Sequence, residues 1–244
     1  MKVGLFVPCY VDQFYPETAV ATLSLLENLG VNVIFPKNQT CCGQPMANSG
    51  FEHLTTGCND LFIENFSDFD YIVAPSGSCV LHIRDHLHTP NKPKEPTALN
   101  EKVYELTSFL TDILKVKSLP AKFKHKVGMH QSCHGQRGLN LSSMSELVAP
   151  SFSKPLSLLN MVEGIEIVPL SRVDECCGFG GTFCVAEESV SAKMGQDRVA
   201  DHLEHGAEFI TGVDMSCLMH MEGVLKRQGS KVKVLHIAQI LAGE

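Results

Sequence analysis

Short apolar runs alternate along the chain with longer segments whose apolar residues recur at helical spacing. The helical pattern covers 17–29, 101–114 and 187–204. The predicted strands are Val3–Val7, Val31–Phe35 and Tyr71–Ala74, followed by Lys126–His130, Ile165–Pro169, Phe209–Thr211 and Val232–His236. Strands that alternate with helices predict parallel α/β layers, in which ligands bind beyond the carboxyl ends of the strands.

Four short blocks of the first half recur, in the same order, in the second half. The matched pairs are Lys2–Leu5 with Lys126–Met129, Cys41–Gly43 with Cys176–Gly178, Ser78–Ile83 with Ser216–Met221, and Val103–Leu110 with Val234–Leu241. The offset between partners shifts from 124 to 138 residues, so this is a duplication with loops of different length and a period too long for a solenoid. We therefore predict an α/β fold of two tandem pseudo-repeated domains, 1–118 and 119–244, each a mostly parallel sheet flanked by helices.

Composition narrows the function classes. Apolar residues make up 44% of the chain and charged residues 19%, which suffices for a packed core. The net charge of −7, without a basic run, argues against a nucleic-acid or anionic-membrane partner, and no apolar stretch reaches the roughly 18 residues of a membrane span. The N-terminus is too short and too soon polar for a signal peptide, so we expect a cytoplasmic, reduced protein. In that compartment ten cysteines indicate metal binding or redox catalysis.

The cysteines follow one pattern in both halves: a single Cys, a Cys-Cys-Gly, then a single Cys. The gaps are 31 and 36 residues in the first half and 42 and 39 in the second, so the thiols can meet only where separate strand ends converge. Four thiolates suit an iron–sulfur cluster or zinc, and adjacent cysteines favour the cluster because zinc ligands are usually spaced by two to four residues. The predicted ligands are Cys9, Cys41, Cys42 and Cys79, and Cys133, Cys176, Cys177 and Cys217.

Gly43 and Gly178 follow the cysteine pairs, and we expect positive φ and close backbone approach at both. Cys58 and Cys184 have no counterpart in the other half, which favours packing as small apolar side chains.

Five histidines are candidates for the surroundings of the predicted centres. His82 and His220 stand three residues after the last Cys of each half, where each is either a hydrogen-bond donor to a cluster sulfur or a satisfied histidine of the adjacent turn. His130, His134 and His236 follow predicted strands and are weaker candidates for lining a site.

Several longer blocks carry a resemblance to a known family. They are Cys41-Cys42-Gly43-Gln44-Pro45, Pro75-Ser76-Gly77-Ser78-Cys79, Cys176-Cys177-Gly178-Phe179-Gly180-Gly181-Thr182-Phe183, Ser216-Cys217-Leu218 and the closing stretch 231–238. The pattern resembles the cysteine-rich CCG family, found in heterodisulfide reductase and in the iron–sulfur subunit of glycolate oxidase. Nearly end to end, the chain is similar to the lactate utilization proteins of that family.

The resemblance implies a cytosolic protein that oxidises L-lactate to pyruvate together with other subunits of a lactate utilization complex. It also implies 4Fe-4S clusters at the two CCG motifs, one in each half. In heterodisulfide reductase the last element is Cys-x-x-Cys, whereas Ser76 and Asp214 stand at the first of those positions here. Four thiols per half then fit an ordinary four-iron cluster, or zinc, and the two oxygen side chains are either extra ligands or helix caps.

We found no flavin or nicotinamide signature in the sequence, so we predict an electron-transfer subunit rather than a complete enzyme. A zinc-bound or metal-free assembly module without its own redox role is the alternative. A thiol–disulfide enzyme has weak support because the sequence has no Cys-x-x-Cys.

Overall fold

A computed structural model describes residues 1–89 and 95–243, with side chains from residue 98 onwards in the second range. The strands of this part form two four-stranded sheets in which every neighbouring pair is parallel. The strands are β1 (Lys2–Leu5), β2 (Asn32–Ile34), β3 (Tyr71–Ala74), β4 (Val103–Glu105), β5 (Lys126–His130), β6 (Glu166–Ile167), β7 (Phe209–Gly212) and β8 (Lys233–His236). The first sheet has the order β2-β1-β3-β4 and the second the equivalent order β6-β5-β7-β8. The predicted α/β fold with two repeated parallel sheets is confirmed.

Helices cover both sheets and connect their strands. They are α1 (Cys9–Phe14), α2 (Pro16–Asn28), α3 (Gln44–Asn48), α4 (Thr56–Phe66), α5 (Gly77–His86), α6 (Glu95–Asn100), α7 (Leu106–Ser108), α8 (Lys154–Leu159), α9 (Phe183–Ala186), α10 (Glu188–Glu204), α11 (Met215–Arg227) and α12 (Ile237–Ala242). Turns of π-helix follow at Phe109–Ile113 and His134–Gly138, and a 3₁₀ turn lies at Glu52–Thr55. Within the described ranges, none of the helices has the length and apolar character needed to cross a lipid bilayer.

The helix predicted over 101–114 is wrong in its first part. Val103–Glu105 form β4, which pairs in parallel with β3, and the chain turns helical only from Leu106. The apolar residues Leu106, Phe109, Leu110 and Ile113 carry the helical spacing, and a three-residue edge strand is too short to show a period of two. The repeat contained the better signal, because Val103 is matched with Val234 in a block predicted as strand.

The apolar core crosses from one sheet to the other. One cluster of buried side chains joins Val3 and Leu26 of the first half to Val127 and Leu241 of the second, and α2 packs along α12. Each sheet lies on one side of the predicted domain boundary at 118/119, but this buried core contains residues from both sides. The division into two domains therefore stays a prediction. This shared packing holds the carboxyl ends of the two sheets in a fixed relation.

Gly128 in β5 shows how closely the second sheet packs on its helices. A Cβ built on this residue would lie 2.1 Å from Nδ1 of the fully buried His202 on α10. We expect Gly128→Ala to lower the free energy of unfolding by about 1–3 kcal/mol, because an extra carbon in a tight core forces its neighbours apart. Gly223→Ala on α11 is the control: nothing lies within 4 Å of its Cβ position. That variant should be neutral or stabilised by up to about 1 kcal/mol. Equal urea midpoints for the two variants would contradict this packing.

Candidate metal centre

The cysteines lie beyond the carboxyl ends of the parallel strands, as predicted. Cys9 begins α1 after β1, and Cys79 lies in the first turn of α5 after β3. Cys133 and Cys217 hold the equivalent places after β5 and β7. The cysteine pairs lie on the loops that follow β2 and β6. Parallel strands end at the same edge of a sheet, so thiols far apart in sequence come together there.

In each half the structure brings the four predicted thiols into one chain of contacts. The first cysteine group is Cys9, Cys41, Cys42 and Cys79, and the second cysteine group is Cys133, Cys176, Cys177 and Cys217. The Sγ atoms of Cys9 and Cys41 are 3.7 Å apart, and thiol hydrogen bonds continue from Cys41 through Cys42 to Cys79. The second group repeats the order. All eight side chains line a single cleft of about 820 Å³, measured with its open mouth.

The first cysteine of each pair carries the negative charge of its group. Hydrogen bonds from the neighbouring thiols, Cys42 first, lower the pKa of Cys41 to about 2. The pKa of Cys176 falls to about 2 because Cys133 and Cys177 donate to it. The pKa of Cys9 rises because its proton is held between the two sulfurs and the thiol is partly buried. Each group therefore has one stable thiolate, the form of cysteine that binds metals.

Gly43 and Gly178 adopt the positive φ angles expected of them, 92° and 86°. Their N–H groups donate to Sγ of Cys41 and of Cys176, each at 3.4 Å. A Cβ on Gly178 would lie 2.6 Å from Cβ of Met194, so a larger residue would also be excluded by contact with α10. In both halves glycine lets the backbone turn its amide onto the thiolate.

Ser76 and Asp214 cap helices, one of the two roles considered for them, and meet each other between the two groups. They form an antiparallel β-bridge, and the Ser76 hydroxyl accepts from the N–H of Cys79 at 3.4 Å. The Asp214 carboxylate accepts from the Ser78 N–H at 2.6 Å and from the Ser216 N–H at 3.2 Å. One buried carboxylate thus ties together the helices that carry Cys79 and Cys217. The N-termini of both helices direct their partial positive charge towards the cleft.

The two histidines that follow the last cysteines differ in their surroundings. His82 is buried, and its interaction with Cys41 helps to lower the pKa of the Cys41 thiol. Desolvation lowers the pKa of His82 itself to about 4. His220 instead places Nε2 3.2 Å from the carbonyl oxygen of Ser191, which satisfies it within the fold.

The histidines that follow strands also have separate places. His134 lines the cleft, and His236 caps α12 through Nδ1, 3.2 Å from the N–H of Ala238. His130 is buried beside the second group, where one of its ring nitrogens lies within 4.8 Å of Sγ of Cys177 and of Cys217. From the sequence His130 was only a weaker candidate for lining a site, and its repeat counterpart in the first half is Phe6.

Further residues, which the sequence analysis did not assign to the site, line the cleft. Tyr10 of the first half meets Phe179 of the second edge to face, with ring centroids 5.9 Å apart. Gln44 and Asn48 also line the cleft. Their position directly beside the Cys motifs was the available signal. Cys58 and Cys184 are absent from its described lining, in keeping with their lack of a repeat partner.

The donors present fit a metal centre. Sulfurs bound to one tetrahedral metal ion at about 2.3 Å lie about 3.8 Å apart. The 3.7 Å separation of Cys9 and Cys41 matches a pair that shares one metal atom. Thiolates are the donors that iron–sulfur clusters and zinc both prefer.

A duplicated parallel α/β protein with four clustered thiols in each half belongs to the class of cysteine-rich proteins suited to a metal or cluster. The chain is a member of the CCG family: the model of this cysteine-rich domain matches residues 3–84 and 127–222, one copy per sheet. It is 43% identical to lactate utilization protein A of an Exiguobacterium species, over 98% of this chain and 96% of that protein. It is 40% identical to lactate utilization protein A of Bacillus subtilis, over 99% of both chains.

A hypothetical protein from Helicobacter pylori has a crystal structure similar to this one. The two superpose with a TM-score of 0.60 at 13% identity. The match covers 100% of this chain and 49% of that one, so the chain spans about half of it. At this identity the likeness concerns the fold alone.

Proposed function

We propose that the protein is an iron–sulfur electron-transfer subunit of an oxidoreductase complex that oxidises L-lactate to pyruvate. The observation that carries the proposal is the pair of four-thiol groups on one cleft. The names of its relatives, at 40–43% identity over nearly the full length, support a part in lactate utilization. Other subunits of that complex are the proposed partners, and the cytoplasm is the proposed location.

The first group would hold one centre and the second group the other. An iron–sulfur cluster supplies reversible one-electron oxidation and reduction. The chain would supply the ligands and their polar surroundings. These are the thiolates of Cys41 and Cys176, the amide donors of Gly43 and Gly178, and the positive ends of the α5 and α11 dipoles. Hydrogen bonds and positive dipoles beside the sulfurs stabilise added negative charge and so raise the reduction potential.

Oxidation of lactate to pyruvate releases two electrons and two protons. In the proposed complex a partner protein would accept them from the substrate. The two cysteine groups would hold the centres through which the electrons pass singly, and then on to a partner. One shared cleft suits that role, because it places both groups at the same face of the molecule.

A zinc-bound assembly module is the second candidate function. The 3.7 Å between Sγ of Cys9 and of Cys41 favours it, since this spacing suits a single tetrahedral ion. Such a module would hold its partners together without passing electrons.

Anaerobic purification followed by iron, sulfide and zinc assays distinguishes the electron-transfer subunit, here called the relay, from the assembly module. The relay should contain about four iron and four sulfide per half, with absorbance at about 400 nm that bleaches on reduction. Stoichiometric zinc without sulfide would instead establish the assembly module. Co-purification with the products of neighbouring genes, before and after metal removal by a chelator, tests the proposed complex.

A further inference from the structure

His130 is a buried imidazole that the fold leaves unused. It ends β5, is 1% exposed, and neither ring nitrogen has a hydrogen-bond partner among the described residues. A buried polar group without a partner costs free energy, about 1–3 kcal/mol by protein mutational data. A side chain kept in such a place points to a partner that is not part of the polypeptide.

The ring lies against two sulfurs of the second cysteine group. One nitrogen of His130 and the Sγ atoms of Cys177 and Cys217 all lie within 4.8 Å of one another. Donors bound to one zinc ion, with bonds of about 2.0–2.3 Å, lie about 3.3–3.8 Å apart. Small side-chain rotations would close this triad onto a metal atom.

The position that matches His130 in the first half carries a side chain without a donor atom. Phe6 occupies the position that matches His130 at the offset of 124, and its ring packs edge to face on Phe62 and Phe66 at 5.3 and 5.9 Å. The same place in the two sheets therefore carries hydrocarbon in one half and a nitrogen donor in the other. The duplication has diverged beside the thiols.

We propose that His130 supplies a nitrogen ligand to the metal centre of the second cysteine group, making it a mixed nitrogen–sulfur centre, whereas Phe6 at the matching position of the first half offers no donor atom. This rests on the proposed function in one respect, that a metal centre forms at the second group. If the imidazole takes the place of one of the four thiolates, the potential of the second centre would be raised, because histidine in place of cysteine raises the potential of an iron–sulfur centre. An electron would then pass from the first centre, which would be oxidised, to the second, which would be reduced.

Selective labelling tests the ligand without any mutation. Protein grown with ¹⁵N-histidine is purified anaerobically and reduced, and pulsed electron paramagnetic resonance compares its nitrogen couplings with those of unlabelled protein. We expect a histidine ¹⁴N coupling of the strength typical of a metal-bound imidazole to be replaced by a ¹⁵N coupling. His130→Phe, which installs the residue of the first half, should abolish it. His220→Gln should retain it, because His220 is satisfied by Ser191.

Metal assays on the same samples keep this test apart from the proposed function. The proposed role of His130 as a ligand would be wrong if iron and sulfide were present without a histidine coupling, or if the coupling survived in His130→Phe. Either result would leave the proposed electron-transfer function intact. If the centres hold zinc, the relay fails while the ligand is still tested. Zinc X-ray absorption should then show one nitrogen per chain that His130→Phe removes, and sulfur-only coordination would exclude it. A second group that binds no metal would overturn the proposal outright.

Discussion

Replacement of both Cys41 and Cys42 by serine should remove about half of the metal bound by the protein. Two of the four thiolates of the first group are lost, and serine oxygen is a poor substitute for the soft sulfur that iron and zinc prefer. Cys176→Ser with Cys177→Ser should remove the other half, and the fourfold variant should bind almost none. Iron, sulfide and zinc per folded chain are the quantities to measure.

The matched control removes two thiols that do not line the cleft. Cys58→Ser with Cys184→Ser should leave the metal content unchanged, since neither residue has a repeat partner and the cleft is lined by the other eight. Loss of all the metal from either two-residue variant would show that the groups do not form separate centres. Unchanged metal in the first-group variant would remove the cysteine pair from the proposed ligands.

The sequence predicted where the eight cysteines meet because two simple signals coincide there. Cysteines placed directly after predicted strands must meet if the sheet is parallel, and the duplication repeats the arrangement. Cys9 and Cys133 needed no more than that, and the structure places both in the cleft. Their role as ligands stays a prediction until metal is measured.

The repeat did not help to identify buried polar residues at positions where the two halves carry different residue types. His130 was predicted only as a weaker candidate for lining a site, and the repeat gives it no support because Phe6 stands at the matching position. Glu105, matched with His236, was not assigned at all. It is fully buried at the end of β4, caps α7, and has a pKa raised to about 7 by desolvation. Charged residues are seldom buried, so the prior favoured an exposed side chain.

The packing of one half on the other could also not be predicted from the sequence. Apolar spacing in α2 indicates which face is buried but not which element covers it. The covering element is α12, more than 200 residues further along the chain. Such a contact depends on how two complete sheets dock, which no local pattern encodes.

The second large effect is expected from a buried ion pair behind the loop of the second cysteine group. Arg198 and Asp201 on α10 are both 0% exposed and pair at 3.1 Å. The Asp201 carboxylate also accepts from the N–H groups of Ser171 and Arg172, at 3.0 and 3.1 Å. Arg198 in turn donates to the carbonyl oxygen of Arg172. The pair therefore anchors the segment that leads into the Cys-Cys-Gly motif.

Asp201→Ala should lower the free energy of unfolding by up to about 3–5 kcal/mol, because it removes the nearer carboxylate partner of the buried Arg198 guanidinium and leaves only Glu175, 3.8 Å away. For a chain of this size that corresponds to a fall of about 6–20 °C in Tm. Asp201→Asn keeps an acceptor oxygen for one of the two amides, which donate to different oxygens of Asp201, and should lose less stability than Asp201→Ala. Because the freed segment carries Cys176 and Cys177, Asp201→Ala should also release metal from the second group before the first, measured by its rate of loss to a chelator.

Asp197→Ala on the same helix supplies the comparison. Asp197 pairs with Lys193 in a surface ion pair whose side chains are 43% and 67% exposed, so its loss should cost less than about 1 kcal/mol. Its metal content should match that of the wild-type protein. If Asp201→Ala unfolded no earlier than Asp197→Ala, the buried pair would not anchor the loop. The position of Cys176 and Cys177 would then depend on other contacts, among them that of Gly178 with α10.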